Sequence, residues 1–306
     1  MSSLASAPAD LVGAYAACAA LARAHYENFP VASHLLPAPM RPHVAAVYAF
    51  ARIADDIADE GHDTPVARQT RLRDWQQRLH EAAAGATGPS GSPAPGINDN
   101  HDRDVLVLAA AGHTIRSLDL PMSLFDDLVS AFRQDITTTR YASWPDVFDY
   151  CRRSANPVGR LVLRIAGHRD TALDRSSDAL CTALQLTNFW QDFGRDWTIG
   201  RIYVPREAQA RSQAREADLA AGRFTPEWTR ALEECVATTR DSFDRGRLVC
   251  DAVGGRLRFE LRLTWLAGRR ILDRVCGDLL RMRPTIGRAD LPALLWQAAR
   301  WRRNVA

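Results

Sequence analysis

Helical periodicity of the apolar residues is the feature that most constrains how this chain can fold. In ten segments the apolar side chains recur at spacings of three and four residues, which places them along one face of an α-helix. No convincing alternating strand of useful length appears in the sequence. The sequence therefore predicts an all-α protein. The predicted helices are residues 10–27, 40–60, 64–83, 104–118, 121–137, 145–153, 157–167, 173–196, 226–251 and 256–281.

Proline positions support these helices. Proline is tolerated in the first turn of a helix, where its missing N–H would have no partner in any case. The prolines that lie near a predicted first turn are Pro42, Pro65, Pro121, Pro145, Pro157 and Pro226.

One segment, residues 82–102, is rich in Gly, Pro, Ser and Asn and has little apolar surface to bury. Such a composition predicts a mobile loop. The segment could also link two domains, but the helices before it look unable to form a core alone, so we interpret it as a surface insertion between two helices. We therefore predict one domain over residues 1–306.

Composition limits the classes of function. The 306 residues carry a net charge of +3, which is too small to suggest a nucleic-acid-binding protein. Every basic residue other than histidine is an arginine. The planar guanidinium group suits diphosphate as well as carboxylate, because it donates hydrogen bonds in pairs. A genome that favours arginine codons explains the same bias equally well.

Cysteine usage and the N-terminal sequence bear on the cellular compartment. The six cysteines are scattered without a CxxC pair or a zinc-ligand spacing, so we expect reduced thiols. Residues 1–30 lack a basic region followed by a long apolar stretch, so we expect no signal peptide. No run reaches the ~18 apolar residues that span a bilayer. We therefore expect a cytoplasmic protein.

A first acidic motif ends the predicted helix 40–60, in the sequence YAFARIADDIADE. Asp55, Asp56 and Asp59 are spaced three and four residues apart and lie on one face of a helix. Carboxylates at this spacing repel one another, and a divalent cation would reverse that cost. Mg²⁺ is a hard ion that takes carboxylate oxygens and keeps water and substrate phosphates as its other ligands.

A second acidic motif lies in LQLTNFWQDFGRDWTIGRIYVP, residues 184–205. Asn188, Asp192 and Asp196 follow one another at intervals of four residues and form a stripe along a helix. Aromatic residues surround the stripe, which is unusual for a solvated helix face. Two helices that face each other with such stripes would form a bowl of oxygen ligands for two or three Mg²⁺ ions and a diphosphate.

A simpler interpretation of each motif stays open at this point. A single DxxxD on a helix is more often a solvated face or the partner of an arginine. Arg52 could pair with Asp56 one turn later, and Arg195 could pair with a neighbour. The presence of two such motifs, both in apolar and aromatic surroundings, favours the metal site.

The two motifs together resemble those of the squalene/phytoene synthase family of prenyl-diphosphate enzymes. The resemblance extends from about residue 28 to about residue 272, and DYCRRSANPVGRLVLRIAGH, residues 149–168, is a third similar block. The stretches ENFPVAS, SANPVGR and NFWQD are most similar to the hopanoid-pathway members, which turn presqualene diphosphate into hydroxysqualene.

This resemblance implies an all-α isoprenoid-synthase fold, a central apolar cavity and Mg²⁺ at its mouth. The implied metal ligands are Asp55, Asp56, Asp59, Asn188, Asp192 and Asp196, of which Asp55, Asp59, Asp192 and Asp196 would be the catalytic carboxylates. The implied substrate-binding residues are Tyr48 and Arg52 near the diphosphate, Tyr150, Val158, Gly159, Leu184 and Gln185 in the cavity wall, Asn188 of the second motif, and Arg201 and Tyr203 where a flap closes.

Some positions depart from the family members that condense two substrates. Glu27 and Asn28 stand where those enzymes often have serines, Gln191 stands where an arginine is common, and Arg195 stands where an acid is frequent. The departures fit an enzyme that starts from one coupled diphosphate. The resemblance therefore implies ionisation of presqualene diphosphate and capture of water, with Mg²⁺ and without a nicotinamide.

Two other functions remain open at the level of sequence. One is a presqualene diphosphate, squalene or phytoene synthase that condenses two prenyl diphosphates such as farnesyl diphosphate. The other is a non-catalytic helical subunit with the same fold, against which the presence of both acidic motifs argues. The C-terminal stretch LPALLWQAARWRRNVA also resembles a basic amphipathic helix, which could contact the inner face of a membrane or simply pack on the domain.

Overall fold

The computed structural model describes residues 9–24, 35–59, 61, 63–85 and 99–301. Within these ranges the chain is built from α-helices and short 3₁₀ turns and contains no strand, only an isolated bridge between Arg140 and Ile202. The all-α prediction is confirmed. The helices are α1 Ala9–Ala24, α2 Arg41–Asp59, α3 Pro65–Ala83, α4 Asp99–Leu118, α5 Met122–Asp135, α6 Trp144–Ser154, α7 Asn156–Ile165, α8 Thr171–Gln191, α9 Phe193–Thr198, α10 Arg206–Ser212, α11 Glu216–Ala220, α12 Pro226–Arg245, α13 Val249–Ala252, α14 Gly255–Leu272 and α15 Leu291–Ala299.

Local signals at the helix starts explain many of these bounds. Thr64 caps α3 by accepting a hydrogen bond from the Ala67 N–H at 3.2 Å, and Pro65 is the first helical residue. Asp170 caps α8 by accepting from the N–H groups of Ala172 and Leu173. All six prolines singled out in the sequence lie at the cap or in the first turn of a helix.

Several predicted bounds were wrong. The predicted helix 173–196 is two helices, because the backbone breaks at Asp192 with φ −95° and ψ 11°. The predicted helix 256–281 ends at Leu272, and Gly277 then adopts a left-handed φ of 77°. Most of the predicted loop 82–102 lies outside the described residues, and its ends belong to α3 and α4.

Residue contacts group the chain into two compact units. Unit 1 comprises residues 1–137 and 161–168, and unit 2 comprises residues 138–160 and 169–306. The prediction of a single domain over residues 1–306 stays a prediction.

The core of unit 1 forms around α2. Phe50 of α2 stacks on Trp75 of α3 with ring centroids 5.5 Å apart and meets Phe125 of α5 edge-on. The Trp75 Nε1–H donates to the Phe50 carbonyl at 3.3 Å, so the buried indole keeps a hydrogen bond. This packing leaves the opposite side of α2 for its polar residues.

A buried polar network also joins α1, α2 and α4 in unit 1. The Tyr15 hydroxyl lies 2.8 Å from Nδ1 of His113, 3.3 Å from Nδ1 of His43 and 2.9 Å from the Thr114 hydroxyl. Burial lowers the pKa of both histidines, and the proximity of His113 lowers the pKa of His43 further. Both imidazoles are therefore held in the neutral form.

We expect this network to make unit 1 less stable in mild acid. Because the folded-state pKa values lie below the ordinary 6.5, the unfolded chain binds more protons once the pH falls below about 6.5, and stability is lost in that direction. Urea unfolding of the wild type and of His43→Gln at pH 7.5 and 5.5 tests this. Between the two pH values, the variant should lose less free energy of unfolding than the wild type. The reason is that it lacks one group that takes up about one proton on unfolding. His80→Gln is the surface control. If the wild type, His43→Gln and His80→Gln all lose the same stability between the two pH values, the expectation is wrong.

The core of unit 2 forms around α8, which packs on α6, α12 and α14. Trp190 is fully buried, and its Nε1–H donates to the Thr239 hydroxyl of α12 at 2.8 Å. Trp265 of α14 donates to the Phe243 carbonyl at 2.9 Å. These two indoles fix α8 and α14 against α12, so the polar stripe of α8 has a rigid support.

Candidate active site

The first acidic motif occupies the polar side of α2 in unit 1. Tyr48, Arg52, Asp55 and Asp56 are half-buried, whereas Asp59 at the end of the helix is exposed. The Arg52 guanidinium lies 2.6 Å from Asp56 Oδ1 and 3.4 Å from Asp55 Oδ2. The simpler interpretation of an Arg52–Asp56 pair is therefore confirmed as a contact. The pair also places a cation beside two carboxylates.

Tyr48 lies one turn before Arg52 on the same side of α2. Burial raises the pKa of its hydroxyl, and the carboxylates of Asp55 and Asp56 raise it further while Arg52 opposes them. The hydroxyl therefore stays protonated at neutral pH. It can donate a hydrogen bond to an anionic oxygen.

The second acidic motif extends across the junction of α8 and α9 in unit 2. The Asp192 N–H donates to the Asn188 carbonyl at 2.8 Å, and the Asp196 N–H donates to the Asp192 carbonyl at 2.9 Å. The three side chains thus follow one another turn by turn, as the spacing predicted. All three are half-buried, while Phe189 and Phe193 between them are buried.

An arginine that the sequence did not reveal pairs with this motif. The Nε–H of Arg283 donates to Oδ1 of Asp192, and its Nη2 lies 3.3 Å from Oδ2, so both carboxylate oxygens are engaged. Arg195 lies farther away, 3.8 Å from Oδ1. Asp192 and Arg283 are 91 residues apart, so no local spacing could have indicated the pair.

Four aromatic rings cluster beside the polar stripe of unit 2. Phe189 stacks on Tyr203 with centroids 3.7 Å apart and planes 3° from parallel. Tyr141 lies 5.6 Å from Tyr203, and Tyr150 lies 5.9 Å from Phe189. Tyr150 and Tyr203 were among the predicted site residues, whereas Tyr141 was missed. Aromatic faces of this kind attract positive charge.

Of the residues predicted for a cavity wall, Tyr150 lies on α6 and the other four lie on α7 and α8. Val158, Gly159, Leu184 and Gln185 are all half-buried. Gly159 is held close to α8, because a Cβ there would lie 2.5 Å from the Cys181 sulfur. The neighbouring Arg160 is anchored to Asp178 of α8 at 2.5 Å. The start of α7 therefore has a defined position against α8.

The segment that follows α9 is also fixed. The Arg201 N–H donates to the Asp196 carbonyl at 2.8 Å, and the Ile202 N–H donates to the Thr139 carbonyl at 3.0 Å. Tyr203 is buried in this segment. Arg201 and Tyr203 are thus placed directly beyond the second acidic motif, while their role in a flap stays a prediction.

A cavity of about 290 Å³ lies in unit 1, and it contains none of the predicted site residues. Its lining comes from α2, α3 and α4 and consists of Ile57, Thr70, Arg71, Asp74, Trp75, Arg78 and Asp104.

The acidic motifs have the donor chemistry that Mg²⁺ prefers. Within the described ranges, no group of three or more His, Cys, Asp or Glu side chains is close enough to form a metal site by itself. Each motif instead offers carboxylates at helical spacing, and Asp192 already binds a cationic group. Mg²⁺ is usually held by one or two carboxylates together with water and substrate phosphates, so the residues fit that ion.

Comparison with known proteins defines the class. Residues 22–288 match the family model described as squalene/phytoene synthase, and the chain belongs to that family. A hydroxysqualene synthase of Sinorhizobium fredii is 35% identical over 77% of this chain and 74% of that protein. One of Zymomonas mobilis is 40% identical over 65% of this chain and 60% of that protein. A phytoene synthase of Mycobacterium tuberculosis is 32% identical over 65% of this chain and 59% of that protein.

Solved structures agree with this assignment. The crystal structure of squalene synthase HpnC from Alicyclobacillus acidocaldarius is 38% identical, with a TM-score of 0.78 over 89% of this chain and 96% of that chain. A dehydrosqualene synthase in complex with ligand has a TM-score of 0.79 at 20% identity, which shows the fold alone. The predicted isoprenoid-synthase fold is confirmed.

Proposed function

We propose that this chain converts presqualene diphosphate to hydroxysqualene with release of diphosphate. The observation that carries the proposal is the similarity, at 34–40% identity, to three proteins named hydroxysqualene synthase. Both acidic motifs and the aromatic cluster support it, because the reaction needs a stabilised leaving group and a stabilised cation.

In this proposal each acidic motif supplies oxygen ligands for Mg²⁺. Asp55, Asp56 and Asp59 do so on α2, and Asn188, Asp192 and Asp196 do so along the end of α8, the α8–α9 junction and α9. When bound, the metal would neutralise charge on the diphosphate as it leaves.

The other side chains bind and orient the substrate. Tyr48 donates a hydrogen bond to a phosphate oxygen, and Arg52 and Arg201 add charge-assisted hydrogen bonds. The C–O bond to diphosphate breaks with its electron pair on the leaving oxygen. The rings of Tyr150, Phe189 and Tyr203 stabilise the carbocation, and half-buried Val158, Gly159, Leu184 and Gln185 limit the access of water. One water then forms the new C–O bond and loses a proton.

Product analysis tests this proposal directly. Purified protein with Mg²⁺ is given presqualene diphosphate or farnesyl diphosphate, each with and without a reduced nicotinamide. We expect hydroxysqualene from presqualene diphosphate whether or not the nicotinamide is present. Turnover of farnesyl diphosphate alone would instead support a presqualene diphosphate, squalene or phytoene synthase. Release of no diphosphate from either substrate would support a non-catalytic subunit.

We also propose that α15 contacts the surface of an anionic membrane. In the described part of the chain, no helix is both long enough and apolar enough to span a bilayer. Leu291, Leu295 and Trp296 of α15 are nevertheless 47%, 44% and 59% exposed. Arg288 and Arg300 flank the helix and are exposed, and the helix itself has no acidic residue. An apolar face between arginines complements an anionic lipid surface.

Sedimentation with vesicles tests the membrane contact. We expect the protein to bind vesicles that contain phosphatidylglycerol and to bind pure phosphatidylcholine vesicles less. The double substitution Leu295→Ser and Trp296→Ser should weaken binding about tenfold or more, since each inserted apolar side chain contributes roughly 1–3 kcal/mol. Ile199→Ser is the control, because Ile199 is 63% exposed outside α15. A wild type that binds neither kind of vesicle would exclude the contact.

A further inference from the structure

The stretch of residues 276–287, which belongs to the segment between α14 and the 3₁₀ turn Arg288–Asp290, lies against the second acidic motif. We call it the C-terminal strap. It contains no helix, yet it is fastened to the α8–α9 junction on both sides of Arg283. Nε2 of the buried Gln191 donates to the Pro284 carbonyl at 2.6 Å. On the other side, a Cβ on Gly194 would lie 2.6 Å from the Leu279 carbonyl oxygen, so the strap requires glycine there.

The far end of the strap is anchored as well. Arg274 donates to the Thr285 carbonyl at 2.5 Å and pairs with Asp290 at 2.6 Å. The backbone on both sides of Arg283 is therefore held by contacts at Leu279, Pro284 and Thr285, while the Arg283 side chain itself is 37% exposed. The fixed backbone of the strap therefore places Arg283 beside Asp192.

This contact uses the carboxylate that the proposed function assigns to the metal. Both oxygens of Asp192 face the guanidinium group of Arg283. A metal ion that coordinates Asp192 needs at least one of these oxygens. A metal ion there would place a second positive charge beside the guanidinium group, and the two cations repel, so binding of the metal disfavours the two-point contact with Arg283.

We infer that Arg283 is a positioning residue that occupies the cation position at Asp192 until a metal displaces it. The strap thereby sets the metal affinity of the second acidic motif. The apparent affinity for the metal equals the intrinsic affinity multiplied by the fraction of molecules in which Asp192 is released from Arg283. The inference rests on the proposed function, because it requires Asp192 to be a metal ligand.

Titration with Mn²⁺ tests the competition between the metal and Arg283. The free ion is measured by its electron paramagnetic resonance signal. Arg283→Gln should bind Mn²⁺ about three- to tenfold more tightly than the wild type. Arg283→Lys should show a smaller gain, because it keeps the charge but cannot engage both oxygens. Arg195→Gln is the control for charge alone, since Arg195 is 68% exposed and lies 3.8 Å from the same carboxylate.

Thermal unfolding supplies a second readout that does not depend on activity. Without metal, Arg283→Gln should lower the melting temperature by about 2 °C, and with saturating Mn²⁺ this difference should vanish, since the contact is then already broken. Equal Mn²⁺ affinity of the wild type and Arg283→Gln, or an equal gain in Arg195→Gln, would overturn the inference. Retention of full Mn²⁺ binding by Asp192→Asn, or absence of binding by the wild type, would instead overturn the proposed metal site on which it rests.

Discussion

Asp192→Asn is expected to lower turnover of presqualene diphosphate about 10³-fold, which corresponds to roughly 4 kcal/mol of transition-state stabilisation. The substitution keeps the shape of the side chain and removes the negative charge that the metal requires. It also weakens the contact with Arg283, so the metal-free protein should be slightly less stable. Diphosphate release measured at saturating substrate and Mg²⁺ gives the change in the chemical step.

A matched control separates this effect from the general cost of removing a paired aspartate. Asp251 has a side chain that is 16% exposed and pairs with Arg262 at 2.9 Å, whereas the Asp192 side chain is 23% exposed and pairs with Arg283. Asp251→Asn should retain turnover within a few-fold. If Asp192→Asn and Asp251→Asn have the same turnover as the wild type, Asp192 has no part in the reaction.

Trp190→Ala is expected to reduce the free energy of unfolding by about 3–5 kcal/mol. Trp190 is fully buried, and its loss leaves a large cavity between α8 and α12. Thr239 remains hydrogen-bonded, since its hydroxyl also donates to the Cys235 carbonyl at 2.7 Å. The measured cost should therefore reflect packing rather than an unsatisfied polar group. Urea unfolding followed by circular dichroism measures it.

Two further variants serve as comparisons for Trp190→Ala. Trp190→Phe keeps most of the volume and should lose markedly less stability than Trp190→Ala. Trp296→Ala should change stability little, because Trp296 is 59% exposed. A loss below about 1 kcal/mol in Trp190→Ala would mean that α8 is not supported by α12 in the way the packing indicates.

Local rules predicted most of the helices but not their exact ends. Thr64, Asp170 and the prolines determine helix starts through contacts within one turn, so they can be recognised in the sequence. The helices α10 and α11 have only seven and five residues, which is too short for a periodic pattern to be recognised. The end of α14 at Leu272 was missed because Val275 and Leu279 continue the apolar spacing of the helix. The ion pair between Arg274 and Asp290, which lies beyond the helix end, cannot be recognised from that spacing.

The candidate site was predictable where its residues lie close together along the chain. Asn188, Asp192 and Asp196 are consecutive turns of backbone, so their spacing alone indicated a stripe. Tyr141 was missed because it meets Tyr203 only through the fold. Gln191 was noticed as a departure from the family, but its hydrogen bond to Pro284 could not be inferred from that departure.

The sequence by itself determined the all-α class, the family and the two acidic motifs, because helical spacing and short motifs depend on neighbours within a turn or two. Only the tertiary structure decided that Arg283 pairs with Asp192 and that Phe189, Tyr141, Tyr150 and Tyr203 form one cluster. Such contacts depend on the path of the chain over tens of residues. That path is set by the packing of whole helices, in which every buried side chain takes part.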